Sequence, residues 1–287
     1  MNRPQNSCGA CGEVGTVLKD ITLGQYFPGN SFLHKLDPRM KLGLVVLLIV
    51  NIFVAQTPMA YVAAALLIVL AVAVSGIPAR LILKSLKPLI FIIVLTTVIN
   101  IFYTPGEVLA QWWIFRITAE GIYRAAFMAI RIILLVVGTS LLTYTTSPIM
   151  LTDGLERVLS PLKKIKVPVY EFSLMMTIAL RMIPTLVEEV DKITSAQKAR
   201  GAQLETGNLF QRAKALVPIL IPLFVSSFRR ADELAIAMEC RCYRGGAGRT
   251  RLKEYHLGGR DYWALAVTLI NLGMIILANL YLPWLAL

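Results

Sequence analysis

Four stretches of this chain run without a charged side chain: about Leu42 to Ala55, Met59 to Val74, Pro88 to Tyr103 and Tyr262 to Leu282. A fifth, about Ala125 to Tyr144, is interrupted by Arg131 alone. Hydrocarbon offers the backbone no hydrogen-bond partner, so such segments cross a membrane as helices. Several are short against the ~20 residues that a crossing requires, so flanking residues complete their ends. Charged residues make up 16% of the chain, against about a quarter in a soluble domain. The remaining charge sits between the runs. The expected fold is all-α: a polytopic membrane protein with about five transmembrane helices and a separate helical module.

The charge between the runs orients the chain. Net charge is +12, and in a membrane protein lysine and arginine mark the cytoplasmic side. Arg39 and Lys41 directly precede the first run, and Arg80, Lys84 and Lys87 follow the second with no acid among them. Residues 1–30 are read as a cytoplasmic tail, 31–146 as the first four membrane helices, 147–260 as a cytoplasmic module and 261–287 as the last membrane helix. The N-terminus is then inside and the C-terminus outside. Asp37 is placed to cap the first helix, with Pro38 at its first position. The loop from Thr104 to Arg124 holds Trp112, Trp113 and Phe115, an aromatic belt at the outer interface, and Trp263 and Trp284 bracket the last run. Arg131 lies near enough to the outer interface to extend its guanidinium there; a functional charge within the membrane is the rival reading.

Two apolar runs inside 147–260, Phe172 to Val187 and Ala215 to Phe228, are ambiguous. A hairpin through the membrane would place Lys192, Lys198, Arg200, Arg212 and Lys214 outside, against the charge bias. Pro184, Pro218 and Pro222 also interrupt the runs. They are read as helices lying against the membrane face or against the spans.

The same module carries one short cluster twice. Ala199-Arg200-Gly201 is answered forty-one positions later by Cys240-Arg241-Cys242. At that offset Asp191 matches Asp232, Ile193 matches Leu234 and Ala196 matches Ala237. The pattern predicts two related helices, Leu186 to Glu205 and Arg229 to Tyr243. Val187, Val190, Ile193 and Ala196 form a stripe on the first; Ala231, Leu234, Ala235, Met238 and Cys242 form one on the second. Gly245-Gly246 are expected to stop the second helix. Gly201, read as lying inside the first, costs ~1 kcal/mol relative to alanine; close approach of a partner's backbone is the reason that fits. Arginine offers five donors in a rigid fork suited to carboxylates and carbonyls. The plain alternative is that Arg200 and Arg241 are solvated charges on amphipathic helices.

The chain resembles the transmembrane T component of energy-coupling factor (ECF) transporters, importers of vitamins and metal ions. The resemblance runs from about Asp20 to the C-terminus. It rests on Ile21-Thr22-Leu23-Gly24-Gln25-Tyr26, Leu36-Asp37-Pro38-Arg39, Ala199-Arg200-Gly201, and Ala231-Asp232-Glu233-Leu234-Ala235 leading to Glu239-Cys240-Arg241-Cys242. It implies a scaffold in a bacterial or archaeal cell membrane that links ATP hydrolysis by two partner ABC ATPases to reorientation of a membrane-embedded substrate-binding S subunit. It further implies that two Ala-Arg-Gly motifs end two coupling helices, each docked in a groove of one ATPase, so that Ala199, Arg200, Gly201, Cys240, Arg241 and Cys242 are the docking residues. The second motif departs from the pattern, with Cys240 in place of alanine and Cys242 in place of glycine.

Other classes fit less well. No G-x-x-x-x-G-K-[ST] phosphate loop is present, so the chain is not expected to be an enzyme or to hold a cofactor; ATP would be bound by the partners. The spans contain no histidine, cysteine or acid for intramembrane catalysis. No selectivity-filter or charged-ring pattern supports a channel, and no aromatic-plus-basic motif supports nucleic-acid binding. Cys8 and Cys11 have the spacing of half a zinc site, but a full site needs about four ligands and the chain has only two histidines, His34 and His256, so a metal site is not expected. A conventional ABC importer permease, which itself forms the substrate path, is the alternative. It usually carries one coupling helix per membrane subunit, whereas this chain has two clusters.

Overall fold

The computed structural model describes residues 26–103, 108–112, 115–202, 209–245 and 256–281. The tail with Cys8 and Cys11, the motif residues from Ile21 to Gln25, and Trp113, Glu205, Gly246 and Trp284 lie outside the described residues. Nine α-helices occur among those described: α1 (Pro38–Val54), α2 (Pro58–Ser75), α3 (Ala79–Leu86), α4 (Ile90–Tyr103), α5 (Ala119–Thr145), α6 (Pro148–Val158), α7 (Val169–Ala199), α8 (Leu209–Cys240) and α9 (Gly259–Tyr281). An antiparallel hairpin, β1 (Val108–Trp112) with β2 (Phe115–Thr118), joins α4 to α5 and carries a register shift between Val108 and Ala110. It is a small strand element in an otherwise helical protein. The chain divides into two compact units: residues 24–158 with 253–287, and the rest.

Among the described residues, five helices are long and apolar enough to cross a membrane: Pro58–Ser75, Ala79–Phe102, Glu120–Thr145, Val169–Ala199 and Gly259–Tyr281. Four of them contain expected spans. The fifth, α7, was expected to stay out of the membrane; its mean hydropathy is 1.2, against 1.9 to 2.3 for the others. The first expected span, α1, is not among the five; it has 17 residues, about 25 Å of helix. The segment with Arg80, Lys84 and Lys87 is helical. It forms α3, continues through a 3-10 turn at Lys87–Leu89 and runs into α4.

In the first unit, the core forms where α1, α2, α5 and α9 meet. Ile52, Ala55, Ala60, Tyr61, Ala64, Ile68, Leu134 and Ile275 are buried together. Alanines at 60 and 64, one turn apart, let neighbouring helices approach α2 closely. Polar side chains satisfy the helix ends. Asp37 caps α1 as expected, its Oδ1 accepting from the amide of Arg39 at 2.9 Å with Pro38 in the first turn. Asp261 at the start of α9 accepts from the Asp37 amide at 2.9 Å and from the Gly258 amide at 2.8 Å. At the other end of α1, Asn279 Nδ2 donates to the Val54 carbonyl at 2.7 Å, and Arg131 Nη2 donates to the Ala55 carbonyl at 3.2 Å. The Arg131 guanidinium also lies 5.8 Å from the Phe53 ring and 5.7 Å from the Tyr61 ring. Arg131 therefore ties α5 to the α1–α2 turn and stacks on its aromatics.

Glycine sets the spacing of α4 and α5. A Cβ at Gly121 would lie 3.0 Å from the Ile101 carbonyl oxygen and 3.2 Å from that of Asn100. Both are backbone atoms that cannot swing aside. Glycine to alanine inside a helix ordinarily gains ~1 kcal/mol. Gly121→Ala is expected to invert that sign and cost about 1–2 kcal/mol through overpacking, read as a lower unfolding temperature of the detergent-solubilised protein.

Candidate functional site

The second unit is built on α7 and α8. Both are longer than the sequence pattern indicates: α7 has 31 residues with Pro184 inside, and α8 has 32 with Pro218 and Pro222 inside. The prolines do not interrupt the apolar runs, which are continuous with the helices that end in the two arginines. One proline also helps to join the pair. Pro222 has no N–H to donate to the Pro218 carbonyl one turn back, and Gln197 Nε2 of α7 fills that vacancy at 3.3 Å. Eight residues earlier on α7, Glu189 accepts from Ser226 Oγ and lies 2.5 Å from Arg230 Nη2. Contacts that run 197 to 218 and 189 to 226 make the pair antiparallel.

The antiparallel sense puts the two arginines at opposite ends. Arg200 follows α7 directly, three residues beyond the Gln197 contact. Arg241 follows α8, well beyond the Pro218 contact, a distance of about 35 Å at 1.5 Å per residue.

The two ends have the same backbone geometry. At the first, the Ala202 amide donates to the Gln197 carbonyl at 3.0 Å and the Gly201 amide to the Lys198 carbonyl at 3.0 Å. At the second, the Tyr243 amide donates to the Met238 carbonyl at 3.1 Å and the Cys242 amide to the Glu239 carbonyl at 2.9 Å. These paired bonds are the Schellman motif, with the arginine at the C-cap and the next residue in the left-handed conformation. Gly201 has φ +86° and Cys242 has φ +58°. Both arginines, and Ala199, Gly201, Cys240 and Cys242, are exposed. A cation at a helix C-terminus is favoured by the helix dipole, and an exposed guanidinium offers its donor fork to a carboxylate or carbonyl.

This geometry corrects three expectations. Gly201 is not inside the helix but just past it. A Cβ there would meet nothing within 4 Å of this chain, and its positive φ by itself calls for glycine. The second helix stops at Cys240, before Gly245-Gly246, and Cys242 supplies the left-handed residue. The helices begin far earlier than Leu186 and Arg229. Of the two apolar stripes, Val187, Val190, Ile193, Leu234 and Met238 are half-buried, whereas Ala196, Ala231 and Ala235 are exposed.

Fold and site together define a helical membrane protein that presents two like-built cationic helix ends. The family model described as cobalt transport protein matches residues 29–252. An energy-coupling factor transporter transmembrane protein of Clostridium kluyveri is 52% identical over 267 residues, which cover 92% of this chain and 99% of that protein. The corresponding protein of Acidaminococcus fermentans is 55% identical over 245 residues (85% and 91%), and that of Bacillus subtilis 42% over 265 (92% and 98%). The chain belongs to the family of energy-coupling factor transporter transmembrane proteins. The resemblance drawn from its motifs is borne out.

Cys242 holds a conformation that a side chain resists by about 1 kcal/mol and glycine adopts freely. Cys242→Gly is expected to slow amide exchange in the last turn of α8 by that margin, while Gly201→Val accelerates exchange in the last turn of α7. Hydrogen exchange by mass spectrometry reads both.

Proposed function

We propose that this chain is the coupling scaffold of an importer, with Arg200 and Arg241 as its two points of attachment to ATP-hydrolysing partners. The observation that carries the reading is the duplication of one cap geometry at opposite ends of an antiparallel helix pair. A single interface needs one such end. Two ends, each with an arginine at the C-cap, suit two separate copies of one acidic or carbonyl-lined groove. The resemblance to energy-coupling factor transporters implies the class of partner: two ABC ATPases, together with a membrane-embedded S subunit that binds a micronutrient such as a vitamin.

In this reading the chain performs no hydrolysis itself. Each guanidinium makes charge-assisted hydrogen bonds in its groove, with Ala199, Gly201, Cys240 and Cys242 as the small neighbours that let it enter. ATP-driven closure and parting of the ATPases moves the ends of α7 and α8. The pair is tied by Gln197 to Pro218 and by Glu189 to Ser226 and Arg230, so the two ends move as parts of one body. That motion alters the surface against which the S subunit reorients and releases its substrate inward. A two-state element biased by nucleotide is the physical requirement. The excess of lysine and arginine in 147–260 supports a cytoplasmic position for this module and for the N-terminus, with the C-terminus outside.

Arg200→Glu and Arg241→Glu are each expected to cost ~2–5 kcal/mol of binding to an ATPase, the usual penalty for breaking one partner of a buried charged pair. Co-purification of the ATPases with the tagged variant, and substrate uptake by cells carrying it, are the readouts. Unchanged yield and unchanged uptake in both variants sink the docking role.

A further inference from the structure

The first unit holds an apolar cavity that the arginine-docking reading does not call on. α1 and α2 pack tightly beside their connecting turn, where Ile52, Ala60 and Tyr61 are buried. Toward the other end, between Leu44 and Leu48 of α1 and Leu67 and Val74 of α2, a cavity of about 480 Å³ remains, walled by α5 and α9. That volume is in the range that takes a small ligand. Its walls are hydrocarbon almost throughout, and an apolar cavity of this kind does not hold water well. It opens sideways: Leu70 and Val74 on its rim are 49% and 41% exposed, and Trp263 is 71% exposed. In a bilayer the fluid at that opening is acyl chain.

The lining also fixes the polarity of the mouth. It draws on the N-terminal halves of α1 and α9 and the C-terminal halves of α2 and α5, which is the end that carries the basic residues. Lys41 lines the cavity and is buried. Its ammonium donates to the Thr145 carbonyl at 3.0 Å and the His34 carbonyl at 3.3 Å, which uses two of three donors. Exposed Lys35 lies between the lining residues Leu33 and Leu36, and exposed Arg260 begins the helix that contributes Trp263. Cationic side chains at the headgroup level attract anionic lipid.

We propose that this cavity binds one acyl chain of an anionic phospholipid, with the phosphate held by the remaining donor of Lys41 and by Lys35 and Arg260. The proposal rests on the membrane unit alone and stands or falls independently of the arginine docking reading.

The test uses the full chain purified in mild detergent, with phosphatidylglycerol or phosphatidylcholine added, and native mass spectrometry as the readout. One phosphatidylglycerol is expected to remain on each chain, at least tenfold more persistently than phosphatidylcholine. Ala71→Phe and Ala264→Phe fill the cavity and are expected to lower that occupancy at least tenfold. The double change Lys35→Gln with Arg260→Gln, at exposed positions, is expected to remove most of the preference for the anionic headgroup while leaving the fold intact. If either cavity-filling variant does not fold, the other and the charge variant still decide. Equal retention of the two lipids by the native chain, no retained lipid, or undiminished occupancy in the filled variants overturns the proposal. So does loss of a co-purifying membrane subunit on filling the cavity with lipid occupancy unchanged, since the cavity then belongs to a protein partner.

Discussion

A helix that ends near hydrocarbon leaves amides and carbonyls that no solvent reaches, and this structure is arranged around satisfying them. α1 depends on it at both ends. Asp37 and Asp261 interlock at its start, and Asn279 and Arg131 take its last carbonyls. Apart from Asp37, which caps its own helix, the side chains that do this come from α5 and α9, distant in sequence. The same bonds that complete α1 therefore fix which helices surround it, and the buried apolar residues fill the space so defined.

The coupling pair solves the same problem in a different way. α7 and α8 close their ends within their own backbone, through a left-handed residue, so the arginine at each cap is not needed to satisfy the helix. Its guanidinium remains available for another molecule. In α1 the capping side chains are consumed by the fold; at the ends of α7 and α8 the side chains of Arg200 and Arg241 stay exposed. The orphan carbonyl of Pro218 extends the logic, since a proline that weakens α8 provides the acceptor by which α7 recognises it.

Much of this was legible in the chain itself. Uncharged runs give the helices, and Asp37-Pro38 before an apolar run gives the first cap, because capping is local chemistry. The duplicated arginines were visible for the same reason. What was not legible depends on pairing across the fold. Nothing near Arg131 in sequence points to the Ala55 carbonyl, and the apolar setting of Asn279 gives no sign of Val54. Pro184, Pro218 and Pro222 read as breaks because a proline's cost is local, whereas the packing that offsets it is not. Gly201 lies past the helix end, yet a glycine in a helical pattern looks the same from sequence whether it lies inside the helix or just past its end. Cys242 concealed the second cap altogether, since a non-glycine residue rarely takes that conformation.

The central claim is that one chain engages two ATPases through two equivalent helix ends. Native mass measurement of the complex isolated from membranes through a tag on this chain tests it most directly. One copy of this chain with two ATPase chains and one small hydrophobic subunit is the expected result. A symmetric pair of this chain carrying one ATPase on each copy would contradict it and point to a permease that forms the substrate path itself.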